Sequence, residues 1–224
     1  MSNHVIELQQ VTFGYHADRP VLQNVDWTVQ RGERVGLIGP NASGKSTLLQ
    51  ILMGLRRIQA GRVSIYGKER KAESDFREVR ARMGLLFQDS DDQLFCPTVL
   101  DDVAFGPLHL GATPEDAREA AREALETVGL PGYEGRITHQ LSAGEKKCVA
   151  LATNLAMHPD TLLLDEPTSY LDDASRGRIL DVLAHLPITL VIVSHDQDFI
   201  SALTTTRYLL RTGRIEKART VSAR

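Results

Sequence analysis

At 224 residues, 42% of them hydrophobic, the chain is long enough to bury a sizeable core in one or two lobes. Its formal net charge of -3 argues against a nucleic-acid binder that works by bulk charge. Two cysteines, Cys96 and Cys148, are too few for a disulfide framework and read as thiols of a reducing compartment.

The first residues, Met1-Ser2-Asn3-His4-Val5-Ile6-Glu7, lack the basic-then-apolar pattern of a signal peptide. No run approaches the roughly 18 apolar residues that cross a bilayer. A cytoplasmic chain is expected, with any membrane role coming through a partner. Ile6, Leu8 and Val11 open an apolar pattern that ends at Phe13-Gly14-Tyr15. Val21, Val25, Trp27 and Val29 continue it beyond a turn over residues 16–20. These predict antiparallel strands closed by Arg31-Gly32. Tyr15, just before the loop, is placed to stack on a nucleotide base.

The apolar run Arg34-Val35-Gly36-Leu37-Ile38 leads into Gly39-Pro40-Asn41-Ala42-Ser43-Gly44-Lys45-Ser46-Thr47, and a helical pattern leaves it. Strand, glycine loop and helix together make G-x-x-x-x-G-K-[ST] a phosphate loop. Backbone N–H groups and the helix N-terminus converge on one point there. Lys45 can reach the outer phosphates, and the Ser46 hydroxyl can take one Mg²⁺ position.

Residues 61–67 predict a short strand, 72–82 a charged helix, and 83–87 a buried strand ending at Gln88. A polar loop with one apolar pair, Leu94-Phe95, follows. Thr98 or Asp101 caps the next helix, and Thr113-Pro114-Glu115 opens another. Residues 68–139 therefore read as a helical insertion in an α/β domain. Ser142-Ala143-Gly144-Glu145 starts a long helix to about residue 157; S-x-x-E is a capping box, and a capped N-terminus is also an anion site. Residues 161–167 predict a buried strand ending in Asp165-Glu166, and 172–186 a helix. Residues 188–193 predict a third apolar strand, as a covered parallel sheet requires, ending before His195. A last hairpin closes residues 1–217, leaving a short basic tail, residues 218–224, expected to be disordered.

Gln88, Asp165-Glu166 and His195 all follow strand ends, as the phosphate loop does. Ligands bind at that edge of an α/β sheet. Asp165 is placed to hold Mg²⁺. Glu166, one residue on, can act as general base on water, and His195 can contact a terminal phosphate. One nucleotide already has a phosphate loop, so the second anion-binding helix start at Ser142 suggests another protomer's nucleotide and a head-to-tail dimer.

Over nearly its whole length the chain resembles the nucleotide-binding domain of ABC transporters. The matching motifs are residues 39–47 (Walker A), Gln88 (Q-loop), residues 141–145 (signature), 162–166 (Walker B), Ser169-Tyr170-Leu171-Asp172 (D-loop) and His195 (switch histidine). Tyr15 lies where that family has its adenine-stacking aromatic. The resemblance implies an α/β P-loop NTPase with a mostly parallel core sheet, an N-terminal antiparallel β subdomain and a helical insertion. It implies that ATP, with Mg²⁺ as cofactor, is hydrolysed between two domains, each Walker A facing the other's Ser142, Ala143, Gly144 and Glu145, and that closure drives a membrane partner. Residues 84–95, with Pro97-Thr98-Val99 and residues 102–107, are similar to energy-coupling-factor ATPases, especially cobalt and nickel importers. That likeness implies an integral-membrane coupling subunit, a substrate-binding membrane subunit, no nucleic acid, and a place on the cytoplasmic face of the membrane. Leu94 and Phe95 are candidates for the docking surface. A vitamin such as biotin is an alternative cargo; a soluble non-transport ABC ATPase and a nucleotide-sensing regulator are alternative classes. The ATPase pair is homo- or heterodimeric. Ala42, Ala143, Cys148 and Tyr170 depart from the family pattern, and many relatives carry a C-terminal extension that would supply further dimer contacts.

Overall fold

The computed structural model describes residues 3–16 and 18–218. Strands β1 (His4–His16) and β2 (Arg19–Gln30) pair antiparallel, with Val25, Trp27 and Val29 buried and the intervening Asp26 and Thr28 exposed. This period of two turns one face of the ribbon inward. After β3 (Arg34–Ile38) and α1 (Lys45–Leu52), β4 (Ala60–Ile65) and β5 (Lys68–Glu69) complete a four-stranded antiparallel sheet of order β2-β1-β4-β5.

The remaining elements are α2 (Phe76–Arg80), β6 (Met83–Leu86), α3 (Val99–His109), α4 (Pro114–Thr127), α5 (Ala143–Leu155), β7 (Thr161–Asp165), α6 (Asp173–His185), β8 (Thr189–Val193), α7 (Gln197–Leu203), β9 (Thr206–Arg211) and β10 (Arg214–Lys217). They build a six-stranded sheet of order β10-β9-β3-β8-β7-β6, parallel except for the β9-β10 hairpin. Every residue of β6, β7 and β8 is buried, because helices or the other sheet cover both faces. Alternation along the strands divides the core. Leu163, Val191 and Val193 pack toward α1 and the antiparallel sheet. Leu162, Leu164, Leu190 and Ile192 pack toward α3 to α7. The helices are capped as their sequences direct: Thr98 rather than Asp101 caps α3, Thr113 caps α4 with Pro114 in the first turn, and Ser142 caps α5.

Two expectations are corrected. The insertion is narrower than residues 68–139, because Lys68–Glu69 pairs in the first sheet and Met83–Leu86 forms the edge of the second; the helices α3 and α4 that project from the core follow Gln88. The helix expected over residues 72–82 is shorter, a 3₁₀ turn (Glu73–Asp75) running into α2. Of the expected tail, residues 219–224 lie outside the described residues, as does Ala17 in the first turn.

Candidate active site

The loop after β3 cannot take its shape without glycine at its start. Gly39 has φ +153, and a Cβ there would run into the Leu210 carbonyl of neighbouring β9. The loop then crosses Ala42, which sits at φ 58 in the left-handed region. A methyl group is disfavoured there. The Lys45 ammonium donates to Gly39 O and Pro40 O at 2.9 and 3.0 Å, closing the loop on itself. Burial lowers its pKa, against the pull of Glu166 and Asp165.

Strand register supplies the opposite wall. β7 and β8 are adjacent and parallel, with Asp165 opposite Val193. Both chains turn outward at the same level, so residues distant in sequence meet. Glu166 N donates to Val193 O at 2.8 Å, and His195 N donates to Glu166 Oε2 at 3.1 Å. His195 Nε2 lies 3.2 Å from Glu166 Oε1, outside hydrogen-bond geometry. Glu166 holds φ 46, a conformation of the kind that clusters at functional sites when its surroundings enforce it.

These residues line one cleft of about 700 Å³: Tyr15 and Val21 from the antiparallel sheet, residues 41–47, Gln88, Asp165, Glu166, Ser169, Val193 and His195. Tyr15 is half exposed. Its hydroxyl is 3.0 Å from Thr47 Oγ1, its ring meets Phe13 edge-on, and Arg56 lies 5.2 Å over its centroid. Among the described residues, Ser43 Oγ, Asp165 Oδ1 and Glu166 Oε1 are buried without hydrogen-bond partners. Buried polar atoms are ordinarily satisfied, so three orphans around one cleft mark the place of something polar. Burial raises the Asp165 pKa, with Ser46, Lys45 and Lys147 pulling it back. An oxygen-rich set of Ser46, Asp165 and the Gln88 amide suits a hard cation.

The signature residues stand apart from this cleft. Ser142 and Ala143 are exposed at the start of α5, and Gly144 is pressed against Ser175 of α6. Glu145 is committed within its own chain: Oε2 accepts from Ser142 N at 2.8 Å and Oε1 from the Tyr133 hydroxyl at 2.7 Å. Both partners donate, which suits an acceptor-only carboxylate. The Tyr133 hydrogen bond leads in lowering the Glu145 pKa, with the Ser142 amide next. Asp172 caps α6 through Ser175 N at 2.7 Å.

Leu94 corrects the sequence reading. It is 9% exposed and belongs to the core beneath α3 and α5, so it presents no docking surface. Phe95, by contrast, is 67% exposed and meets Phe105 edge-on at 4.8 Å. Ser169, the first residue of the D-loop motif, joins the cleft wall, and the sequence reading passed over Val21 there and Lys147, a buried lysine of α5 whose Nζ donates to Phe87 O and Gln88 O. A signal for Lys147 was present: it shares the i, i+3, i+4, i+7 stripe of Gly144, Cys148 and Leu151, where a charge needs a reason.

The ABC transporter family model matches residues 22–169. The chain belongs to this family and is an ATPase. The energy-coupling factor transporter ATP-binding protein EcfA of Methanothermobacter thermautotrophicus is 43% identical over 215 residues, 94% of this chain and 69% of that protein. The solved structure of cbiO1 from Clostridium perfringens, described as part of the ABC transporter complex cbiONQ, superposes with a TM-score of 0.85 at 30% identity, covering 96% of this chain and 88% of that one. The cassette MJ0796, solved as a dimer in a post-hydrolysis state bound to ADP and phosphate, gives a TM-score of 0.86 at 28% identity, covering 96% and 99%.

Proposed function

We propose that this ATPase is the motor subunit of an energy-coupling-factor importer, powering uptake of cobalt or nickel ions through membrane partners. The observation that carries the motor reading is the single cleft that joins Tyr15, the phosphate loop, Gln88, Asp165, Glu166 and His195. Residues 39–47 cradle the ATP phosphates and Tyr15 stacks on the base. Ser46, Gln88 and Asp165 hold Mg²⁺, which when bound supplies neutralising charge to the phosphate oxygens. Lys45 turns from its own loop carbonyls to the outer phosphates. Glu166, its backbone held to Val193 and its carboxylate to the His195 amide, takes the proton of the attacking water, and His195 orients that water.

The cleft is open, and Ser142, Ala143, Gly144 and Glu145 are not among the residues that line it. The second half of the site therefore comes from another ATPase domain, the same chain or a close relative, with Asp172 of the D-loop near the junction. The dimeric assembly of MJ0796 supports this arrangement. Phe95 and Phe105 form an exposed aromatic pair in the stretch most similar to energy-coupling-factor ATPases. They dock an integral-membrane coupling subunit, which works with a substrate-binding membrane subunit and keeps this chain peripheral, on the cytoplasmic face. No helix among the described residues is long and apolar enough to cross a membrane. The cobalt or nickel assignment rests on the likeness of residues 84–107 to energy-coupling-factor ATPases of metal importers, and the likeness to cbiO1, part of the complex cbiONQ, supports work within a multi-subunit transporter.

Uptake of radiolabelled Co²⁺, Ni²⁺ and biotin, compared in cells with and without this chain and its membrane partners, tests the reading. Loss of metal uptake alone is expected. Loss of biotin uptake alone moves the assignment to a vitamin importer, and no loss of any removes it from transport of these solutes.

A further inference from the structure

Lys147 is 2% exposed, in the second turn of the signature helix α5. A lysine is almost never fully buried without a partner. Here the partners are backbone: Nζ donates to Phe87 O at 3.1 Å and to Gln88 O at 2.6 Å. These two carbonyls lie where the chain leaves β6 and enters the cleft. Hydrogen bonds to neighbouring carbonyls set the tilt of the intervening peptide as well as its distance from α5. Burial lowers the Lys147 pKa, against the pull of the nearby charges Asp89, Asp165 and Glu166. Other polar residues also tie α5 to this segment. Asn154 Nδ2 donates to Leu85 O at 3.3 Å and to Ala150 O at 2.9 Å. Gln93 Nε2 donates to Ala150 O and Thr153 Oγ1 at 2.7 and 2.8 Å. Asn154 holds the strand itself, whereas Lys147 holds the point where Gln88 projects beside Asp165 and Glu166.

We propose that Lys147 is a positioning residue of the hydrolytic centre: from the signature helix it fixes the backbone at Gln88, so that a rotation of α5 is carried into the cleft. Gln88 and the signature helix are then one mechanical unit.

Lys147→Met, Lys147→Ala, Lys147→Arg and Asn154→Ala test this in the full chain, assayed at a temperature where each is folded. Lys147→Met removes the donors and keeps the bulk. Lys147→Ala leaves room for water to satisfy both carbonyls, and so decides the matter if the methionine variant does not fold. Misplacement of a catalytic group by about 1 Å costs up to about 10²-fold, so kcat is expected to fall by about tenfold or more in both. The affinity for a fluorescent ATP analogue in EDTA is expected to stay within about twofold of wild type, since the phosphate loop is untouched. Lys147→Arg, which keeps charge and donors, restores kcat, and Asn154→Ala keeps it despite a lowered melting temperature. Retention of about half the wild-type kcat in either neutral Lys147 variant overturns the proposal. So does an equal loss in Asn154→Ala, or a parallel loss of nucleotide affinity in EDTA, because either makes the defect a general one.

Discussion

Asp165 shows how a candidate functional residue opposes the fold that holds it. Burial pushes its carboxyl above the ordinary range, so the folded chain keeps this proton at a higher pH than the unfolded chain does. Its contribution to stability without nucleotide therefore falls as pH rises from the ordinary carboxylate range through the folded value. Asp165→Asn removes that penalty. At neutral pH the nucleotide-free melting temperature is expected to rise, by about 2–4 °C for each kcal/mol relieved, while stabilisation by ATP with Mg²⁺ is lost. Calorimetry with and without ligand checks both halves, and a lowered melting temperature would show that the carboxylate is a net structural asset. Glu166 differs in kind, since its Oε2 already accepts from the His195 amide. Glu166→Gln is expected to bind ATP normally and to lose hydrolysis by about 10²–10⁴-fold, the usual contribution of a general base. The trapped ATP should then show as a dimer in gel filtration. Near-wild-type turnover would remove Glu166 from the chemistry.

At the scale of elements, the two small residues of the signature behave differently. Ala143 is exposed, so its own chain accommodates the methyl group. Gly144 has no such room: a Cβ there would collide with the Ser175 side chain near the start of α6. Gly144→Ala forces the signature helix away from the D-loop helix. Overpacking of this kind costs about 1–3 kcal/mol, which urea denaturation would measure, and ATPase activity should fall further than stability alone explains. Wild-type stability in this variant would mean that the two helices separate freely. Cys148 is buried in α5 with the Arg178 side chain of α6 against its thiol, so a guanidinium reaches this position from the neighbouring helix.

On the scale of the whole molecule, the sheet edge at β6 carries both the cleft residue Gln88 and, a few residues on, the exposed Phe95. A partner seated on Phe95 and Phe105 is thus linked to the cleft through a short segment laced to α5 by Gln93, Lys146 and Lys147. Phe95→Ser is expected to leave basal ATPase within about twofold of wild type, because surface substitutions away from buried features change little, and to weaken copurification with the membrane subunits. Full recovery of those subunits with the altered chain would move the docking surface elsewhere. Serine at Leu94 is no substitute test, since that side chain is core and its truncation would cost stability directly.

The sequence by itself determined the phosphate-loop motif, the family resemblance and most of the architecture. A phosphate loop needs glycines and Lys45 at set spacing, buried parallel strands need continuous apolar runs, and caps need Thr98, Thr113 and Ser142 ahead of their helices; each requirement is local. What the tertiary structure decided is non-local. Strand order and register set Glu166 beside His195 across 29 residues, and closeness to Leu210 explains Gly39. The packing of α5 on the Q-loop buries Leu94 beside the exposed Phe95, two adjacent hydrophobes that no local pattern separates, and it brings the carbonyls of Phe87 and Gln88 to Lys147, partners that the stripe of α5 alone does not name. Burial is a property of the assembled surface, so these assignments waited for the fold.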